Sequence, residues 1–155
     1  MTFDKDNFFY SNSFKKIRGH GNSTWLRSKK PYQLTFSNEV SLLGMKSSRK
    51  WIFLANYWDG SLSRNYLWLT LAKKLGISYS VDCVPSDVYI NHQYVGSYLI
   101  TNKIEASSDS IPLDDGYLFE IMNQSIHDID LDHGYQINIH YPDIHKLSDK
   151  KSNAV

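Results

Sequence analysis

Residues 18–25 read Arg-Gly-His-Gly-Asn-Ser-Thr-Trp and lie between two segments that are typical of strands, residues 14–17 and 32–36. Two glycines, an asparagine and two hydroxyl residues allow a tight turn that leaves amide N–H groups available for a ligand. We expect a positive φ at Gly19 or Gly21, with residues 19–24 connecting the two strands. Such amides, with cations at the base of the loop, can cradle phosphate. Glycine spacing alone more often marks an ordinary turn between strands, so both interpretations remain open here.

The composition indicates one sheet-rich domain over residues 1–155. The chain has 41% hydrophobic residues, eleven tyrosines and four tryptophans, which is enough for a core and favours strands. A net charge of +1 argues against nucleic acid as a partner. The single cysteine, Cys83, excludes an internal disulfide and a cysteine-based zinc site. No apolar run could span a bilayer and no signal-peptide pattern opens the chain, so we expect no membrane span.

Alternating apolar and polar residues predict antiparallel strands beyond the loop. Residues 81–101 form the clearest hairpin, because the central Asn91-His92 pair tolerates the positive φ that a two-residue turn needs. Gly96 in the second half of this hairpin predicts a bulge or a close backbone approach. The apolar run 51–57 is compatible with a strand or a short helix. Further strand candidates are residues 8–10, 117–122 and 135–141.

One principal helix is predicted over residues 62–75. Asp59 or Ser61 could cap its start, and Gly76 is a natural residue to follow its end. The leucines of this segment give the helix a broad apolar face. The sequence therefore predicts an α+β fold, a mainly antiparallel β-sheet with one principal helix.

The helix and the run 51–57 carry the densest apolar sequence in the chain. We expect them to pack together, because apolar faces are buried against one another. Leu69 and Trp51 are accordingly predicted to belong to one core.

The acids Asp128, Asp130 and Asp132 begin like an EF-hand calcium loop. The sixth position of that loop would be His133 rather than glycine, and the twelfth would be Ile139 rather than glutamate. An edge strand with a solvated acidic face fits the alternation better. We therefore predict no metal site here, and no pattern of a hydrolase appears elsewhere.

Several blocks, taken in order, resemble the CotH kinase family, atypical protein kinases first associated with bacterial spore coats. The blocks are IRGHGNSTW at 17–25, KKPYQLTF at 29–36, SLLGM at 41–45, KWIFLANY at 50–57, SRN at 63–65, VYINHQYVGSY at 88–98, GYLFE at 116–120 and YPD at 141–143. Because the blocks span nearly the whole chain, the resemblance is more specific than any one motif. The chain resembles the N-terminal part of a CotH kinase domain.

This resemblance implies ATP-dependent phosphoryl transfer to Ser or Thr hydroxyls of a protein substrate, with Mg²⁺ or Mn²⁺. It is compatible with a location in the spore coat or at the cell surface, while the sequence itself leaves the compartment unknown. The nucleotide-binding residues that it implies are Arg18, Gly19, Gly21, Asn22, Ser23, Lys30 and Arg64. Arg64 equally suits a structural salt bridge at the start of the helix. Lys29 is interpreted as a solvated neighbour of Lys30.

Three departures from the family pattern weaken the catalytic interpretation. His20 stands where the family usually has arginine, His92 replaces a turn glycine, and Asn102 replaces a glutamate. The catalytic and metal-binding aspartates of the family lie beyond the YPD block, so we expect no catalytic residue in this chain and no kinase activity from it alone. The alternative is a non-catalytic interaction module of the spore coat or cell surface.

Overall fold

The structure is a computed structural model that describes residues 2–3, 10–11, 13–113, 115–122, 129–130 and 136–142. The chain divides into two compact units, Met1–Ile104 and Glu105–Val155. The elements of the first unit are β1 (Thr2–Phe3), β2 (Tyr10–Ser11), β3 (Lys16–Gly19), a 3₁₀ helix (Ser23–Leu26), β4 (Tyr32–Val40), β5 (Ser48–Leu54), α1 (Arg64–Lys74), β6 (Cys83–Ile90) and β7 (Gln93–Asn102). Those of the second unit are β8 (Leu118–Met122), β9 (Ile129–Asp130) and β10 (Gln136–Tyr141).

The first unit is built on a five-stranded sheet in the order β3-β4-β5-β7-β6. In addition β1 pairs with β2, and the second unit contains a three-stranded sheet in the order β8-β10-β9. Every pairing between these strands is antiparallel. With one α-helix among the described residues, the predicted α+β fold is confirmed.

One face of the five-stranded sheet forms the core of the first unit. Trp51 and Ile100 are fully buried on adjacent strands β5 and β7. Phe53 lies two residues from Trp51 on the same strand and therefore shares its face, and Leu34 on β4 is the cross-strand partner of Trp51. The loop after β4 covers this face, with Leu42 fully buried. The apolar run 51–57, which by sequence fits a strand or a short helix, belongs to strand β5 over residues 51–54.

The hairpin of β6 and β7 forms as predicted. Asn91 and His92 both have positive φ, 50° and 65°, and connect the strands in two residues. Gly96 has a φ of 120° and pairs with Val88. The register of the β6–β7 pairing shifts at this point, between Val88 and Tyr89. The predicted bulge is therefore confirmed.

The helix is shorter than predicted. It spans Arg64–Lys74 rather than residues 62–75, because Leu62 adopts a left-handed φ of 56° that a right-handed helix excludes. Its end follows the prediction, since Gly76 has a φ of 71°. The amides of Gly76 and Ile77 donate to carbonyls of the last turn at 3.1 and 3.0 Å, which is a complete Schellman motif.

The prediction that Leu69 and Trp51 share one core is wrong. Leu69 is half-buried and lies outside the core cluster, and none of the residues of α1 is buried. The physical reason is the place of the helix, which packs mainly against the edge strand β6. Among the residues described, no helix is long and apolar enough to cross a membrane.

The other predicted strands are present, some with small shifts along the chain. The first predicted strand, residues 14–17, lies two residues later at Lys16–Gly19, so its loop begins after Gly19. The predicted strands near 117–122 and 135–141 are present as β8 and β10. Of the three acids that resembled a calcium loop, Asp128 and Asp132 lie outside the described residues.

Candidate functional site

The glycine loop connects β3 to β4 and is shaped by Gly21. Gly21 has a φ of 76°, which confirms the predicted positive φ in this loop. A Cβ at Gly21 would lie 2.4 Å from Thr24 Oγ1, closer than nonbonded atoms approach. Both the backbone conformation and the space therefore require glycine at this position.

The other glycine of the loop makes room for an aromatic ring. A Cβ on Gly19 would lie 2.7 Å from the ring of Trp25, which belongs to the 3₁₀ helix. The Trp25 ring also meets Tyr32 edge to face, with 6.1 Å between the centroids. Lys30 Nζ donates to the Trp25 carbonyl at 2.6 Å and lies 5.4 Å from the ring centroid. Lys30 therefore holds the loop's helical turn in place.

Asp59 organises the start of α1. Its carboxylate accepts hydrogen bonds from the Arg64 amide at 2.8 Å, the Ser61 hydroxyl at 2.6 Å and the Ser61 amide at 3.1 Å. These bonds, the Ser61 hydroxyl first, hold the pKa of Asp59 below its ordinary value. The helix N-cap is Ser63 rather than Asp59 or Ser61, yet Asp59 supplies the acceptor that the first helical amide needs.

A cavity of about 330 Å³, the first cavity, lies between the glycine loop and the start of α1. Its polar lining comes from both sides and includes His20, Gly21, Thr24, Asn56, Asp59, Arg64 and Asn65. The side chain of Arg64 is 75% exposed, with Nε 3.6 Å from Asp59. A guanidinium, an amide and a hydroxyl that converge on one cavity are suited to binding an anion.

Asn56 fixes the distance between the sheet and the helix at this cavity. Its side-chain oxygen accepts from Asn65 Nδ2 at 2.8 Å, and its own Nδ2 donates to the Leu62 carbonyl at 3.3 Å. The left-handed φ of 49° at Asn56 ends the run of β5, a conformation that asparagine tolerates better than most residues. These bonds hold Asn65 at the wall of the cavity.

His20 brings a titratable group to the same cavity. Burial lowers its pKa from the ordinary value, and the positive charges of Arg18 and Lys103 lower it further. Arg18 donates to the side chain of Gln33 at 2.8 Å, and Gln33 is 3% exposed. A cationic environment of this kind favours an anionic ligand beside the neutral imidazole.

The structure brings only part of the predicted nucleotide site together. Gly21 and Arg64 both line the first cavity. Gly19, Asn22 and Ser23 belong to the same loop without lining the cavity, and Arg18 and Lys30 are engaged with Gln33 and Trp25. The role of each as a nucleotide ligand stays a prediction.

The environment of Lys29 is not the solvated one that the sequence indicates. It is half-buried, its Nζ donates to the Ser97 carbonyl and lies 4.7 Å from the centroid of the Tyr98 ring. Burial lowers the pKa of Lys29. The aliphatic stem passes Gly96, where a Cβ would lie 3.0 Å from Lys29 Cε, which is the close backbone approach that the glycine allows.

The sequence did not identify His20, Thr24, Asn56, Asp59 or Asn65 as residues of the first cavity. In the sequence, His20 stands out only as a departure from the family pattern, and Asp59 only as a candidate helix cap. Asn65 directly follows Arg64 in the SRN block, and that adjacency was the available signal. Nothing in the sequence brings Thr24 next to the helix, because that contact depends on how the loop folds back.

The residues that the structure describes contain no group of three or more His, Cys, Asp or Glu side chains that could hold a metal ion. Asn102, the departure from a family glutamate, is buried and donates to the Lys46 carbonyl at 3.1 Å. Its amide therefore serves the packing of β7 against the loop after β4.

A model of the CotH kinase protein family matches residues 17–154, which is most of the chain. The matched range includes the glycine loop, helix α1, the β6–β7 hairpin and the strands that follow it. No curated protein matches the chain. No solved structure matches it either.

Proposed function

Because this chain belongs to the CotH kinase family, we propose that it binds the phosphates of ATP in the first cavity. The binding serves phosphoryl transfer to Ser or Thr hydroxyls of a protein substrate. The observation that carries the proposal is the meeting of two predicted ligands, Gly21 of the loop and Arg64 of the helix, at one cavity. They are distant in sequence and belong to different blocks of the family pattern.

Phosphoryl transfer depends mainly on positioning and on neutralising charge. Arg64 presents a guanidinium that can bind two phosphate oxygens at once, and Asn65 and Thr24 add neutral polar groups beside it. Gly21 lets the loop backbone approach closely, since no side chain intervenes there. The first cavity therefore offers a phosphate one guanidinium and two neutral polar side chains.

Mg²⁺ or Mn²⁺, when bound, would neutralise phosphate charge. Asp59 is the carboxylate that lines the first cavity, and its oxygens already accept three hydrogen bonds from the start of the helix. Those bonds fit a cap better than a metal ligand. We therefore expect the metal to arrive with the nucleotide and to be held through its phosphates.

The test compares ATP affinity in the presence of Mg²⁺ for the wild-type chain and Arg64→Ala, by isothermal titration calorimetry. Loss of a charged hydrogen bond to phosphate should weaken binding roughly ten-fold or more. Arg49→Ala is the matched control, since Arg49 is an exposed arginine beside Glu39 and does not line the first cavity. Equal affinities for the wild type and Arg64→Ala would overturn the proposal.

The loop side of the site has its own matched pair of variants. Gly21→Ala and Gly44→Ala introduce a Cβ at nearly the same φ, 76° and 75°. Only the Cβ at Gly21 meets another atom, Thr24 Oγ1, whereas nothing lies within 4 Å at Gly44. We expect ATP binding to weaken in the first variant alone.

Phosphoryl transfer itself is tested with radiolabelled ATP, Mg²⁺ or Mn²⁺ and a general protein substrate. We expect ATP to bind without phosphate transfer, because Asp59, the carboxylate at the first cavity, is already engaged by three hydrogen bonds. Transfer by this chain, lost in Arg64→Ala, would contradict that expectation and would place the chemistry at the first cavity.

A non-catalytic interaction module is the second candidate function, and a specific surface favours it. Leu67, Trp68 and Leu75 of the α1 region are 60%, 69% and 68% exposed. Trp68 and Leu75 are seven residues apart, a spacing that places them on one face of a helix. Exposed apolar surface of this kind commonly marks a site for another protein. A wild-type chain that binds no ATP, in the test described above, would favour this candidate.

A further inference from the structure

A second cavity, of about 220 Å³, adjoins the first. It lies between the start of α1 and strands β6 and β7, with Tyr66 on the helix side and Pro85 and Ser97 on the strand side. Asn56 lines both cavities. A ligand in the first cavity can therefore extend past Asn56 into the second.

The two cavities differ in charge. The first is lined by Arg64, Asp59 and His20. The described residues that line the second carry no charge and combine apolar groups, among them Leu62 and Leu99, with hydroxyl groups. A slot of this composition suits a flat heteroaromatic ring rather than a phosphate.

We propose that the second cavity binds the nucleobase of the nucleotide whose phosphates occupy the first cavity; the proposal rests on the function proposed above. Tyr66 places an aromatic side chain at the wall of this cavity, against which a base can stack. The first cavity, of about 330 Å³, lies at the lower end of the range of roughly 300–1,000 Å³ that small-molecule sites occupy, and the second cavity extends that space.

The polar groups of the second cavity also set its specificity. Asn56 is not available for base recognition, because its amide is engaged with Leu62 and Asn65. The hydroxyls of Tyr66 and Ser97 make no hydrogen bond with the part of the chain that the structure describes. A hydroxyl can donate or accept, so it can satisfy the amino edge of adenine or the carbonyl edge of guanine. The site therefore distinguishes ATP from GTP weakly.

The experiment measures the affinities of tripolyphosphate, ATP and GTP for the 155-residue chain with Mg²⁺, by calorimetry. Wild type should bind ATP and GTP within about ten-fold of each other, and both more tightly than tripolyphosphate. Tyr66→Ala should weaken ATP and GTP roughly ten-fold through lost stacking, and leave tripolyphosphate unchanged. Trp68→Ala is the matched control, since Trp68 is an exposed aromatic residue of the same helix that lines neither cavity.

A second variant approaches the cavity from the opposite wall. Ser97→Val on β7 adds apolar volume to the second cavity and should also lower the affinity for ATP and GTP alone. Near-wild-type melting temperatures establish that both variants are folded. ATP that binds no more tightly than tripolyphosphate, or a loss in Tyr66→Ala that is equal for all three probes, would overturn the base site and leave the phosphate site standing.

Two other outcomes would overturn part or all of the proposal. Binding of ATP with no measurable binding of GTP would overturn the permissive specificity. If none of the three probes binds the wild-type chain, the proposed function itself fails and the base site fails with it. Arg64→Ala separates the two sites, because it should weaken all three probes, whereas Tyr66→Ala affects only those that carry a base.

Discussion

The core face of the five-stranded sheet and helix α1 come from similarly apolar sequence, yet they differ completely in burial. Trp51 on β5 is 0% exposed, whereas Trp68 on α1 is 69% exposed. The loop that carries Leu42 covers the sheet face. The helix packs mainly against the edge strand β6. Apolar composition predicts that an element forms; its burial depends on which partner the fold provides.

A helix without buried residues depends on its ends. An isolated helix of this length is marginal in water, because nucleation is unfavourable. Asp59 accepts the first helical amide, and the Schellman motif at Gly76 satisfies the last carbonyls. Lys73 in the last turn pairs with Asp82. These features replace the buried apolar stripe that usually stabilises a surface helix.

The largest expected effect separates the two tryptophans. Trp51→Ala should lower the free energy of unfolding by about 3–5 kcal/mol, because it leaves a cavity in a packed core. Trp68→Ala should change it by no more than about 0.5 kcal/mol, as expected for an exposed site. Urea denaturation of both variants measures this difference. Similar losses in the two variants would contradict the contrast between sheet and helix.

The next effect tests the end of the helix. Gly76→Ala forces a Cβ into a left-handed conformation, which should cost about 1–2 kcal/mol. Gly60→Ala is the control, since neither glycine has another atom within 4 Å of its Cβ position and only Gly76 has a positive φ. Thermal unfolding, followed by the helical signal in circular dichroism, measures the two losses. Equal losses would show that the Schellman motif adds nothing.

A smaller effect is expected at Leu69. Because Leu69 is half-buried, Leu69→Ala should cost about 1 kcal/mol, the typical loss for a point mutation. Leu34, 2% exposed, is the matched leucine on the core face and should cost about 2–5 kcal/mol when it is truncated to alanine. A loss at Leu69 as large as at Leu34 would restore the shared core that the sequence predicted.

Local chemistry explains which features the sequence could predict. The turn at Asn91-His92 and the positive φ of Gly21 follow from the residues themselves, and both are confirmed. The alternation in β4 and β10 likewise predicted strands that the structure contains. Each of these features depends on neighbours along the chain.

Tertiary placement explains what the sequence could not predict. The position of Leu69 depends on where α1 lies, and its apolar residues fit a core as well as they fit an exposed surface. At the candidate site, Gly21 and Arg64 were identified from the family pattern, and Asn65 had a signal in its adjacency to Arg64, while Thr24 required the folded loop. The hydrogen bond of Arg18 to Gln33 is a cross-strand contact that no spacing in the sequence indicates.

The smallest expected effect is a pH dependence at the start of the helix. The Ser61 hydroxyl and the Arg64 amide lower the pKa of Asp59, so the carboxylate stabilises the fold in its ionised form. This contribution is complete above the ordinary aspartate pKa of about 3.9 and is lost as the pH falls through the lowered pKa of the folded state. Asp59→Asn cannot take up the proton, so its melting temperature should fall less than that of the wild type between about pH 5 and pH 2. Glu39→Gln, a neutralising change at the exposed pair with Arg49, controls for net charge. Parallel melting curves for the wild type and Asp59→Asn would show that the helix start does not depend on this carboxylate.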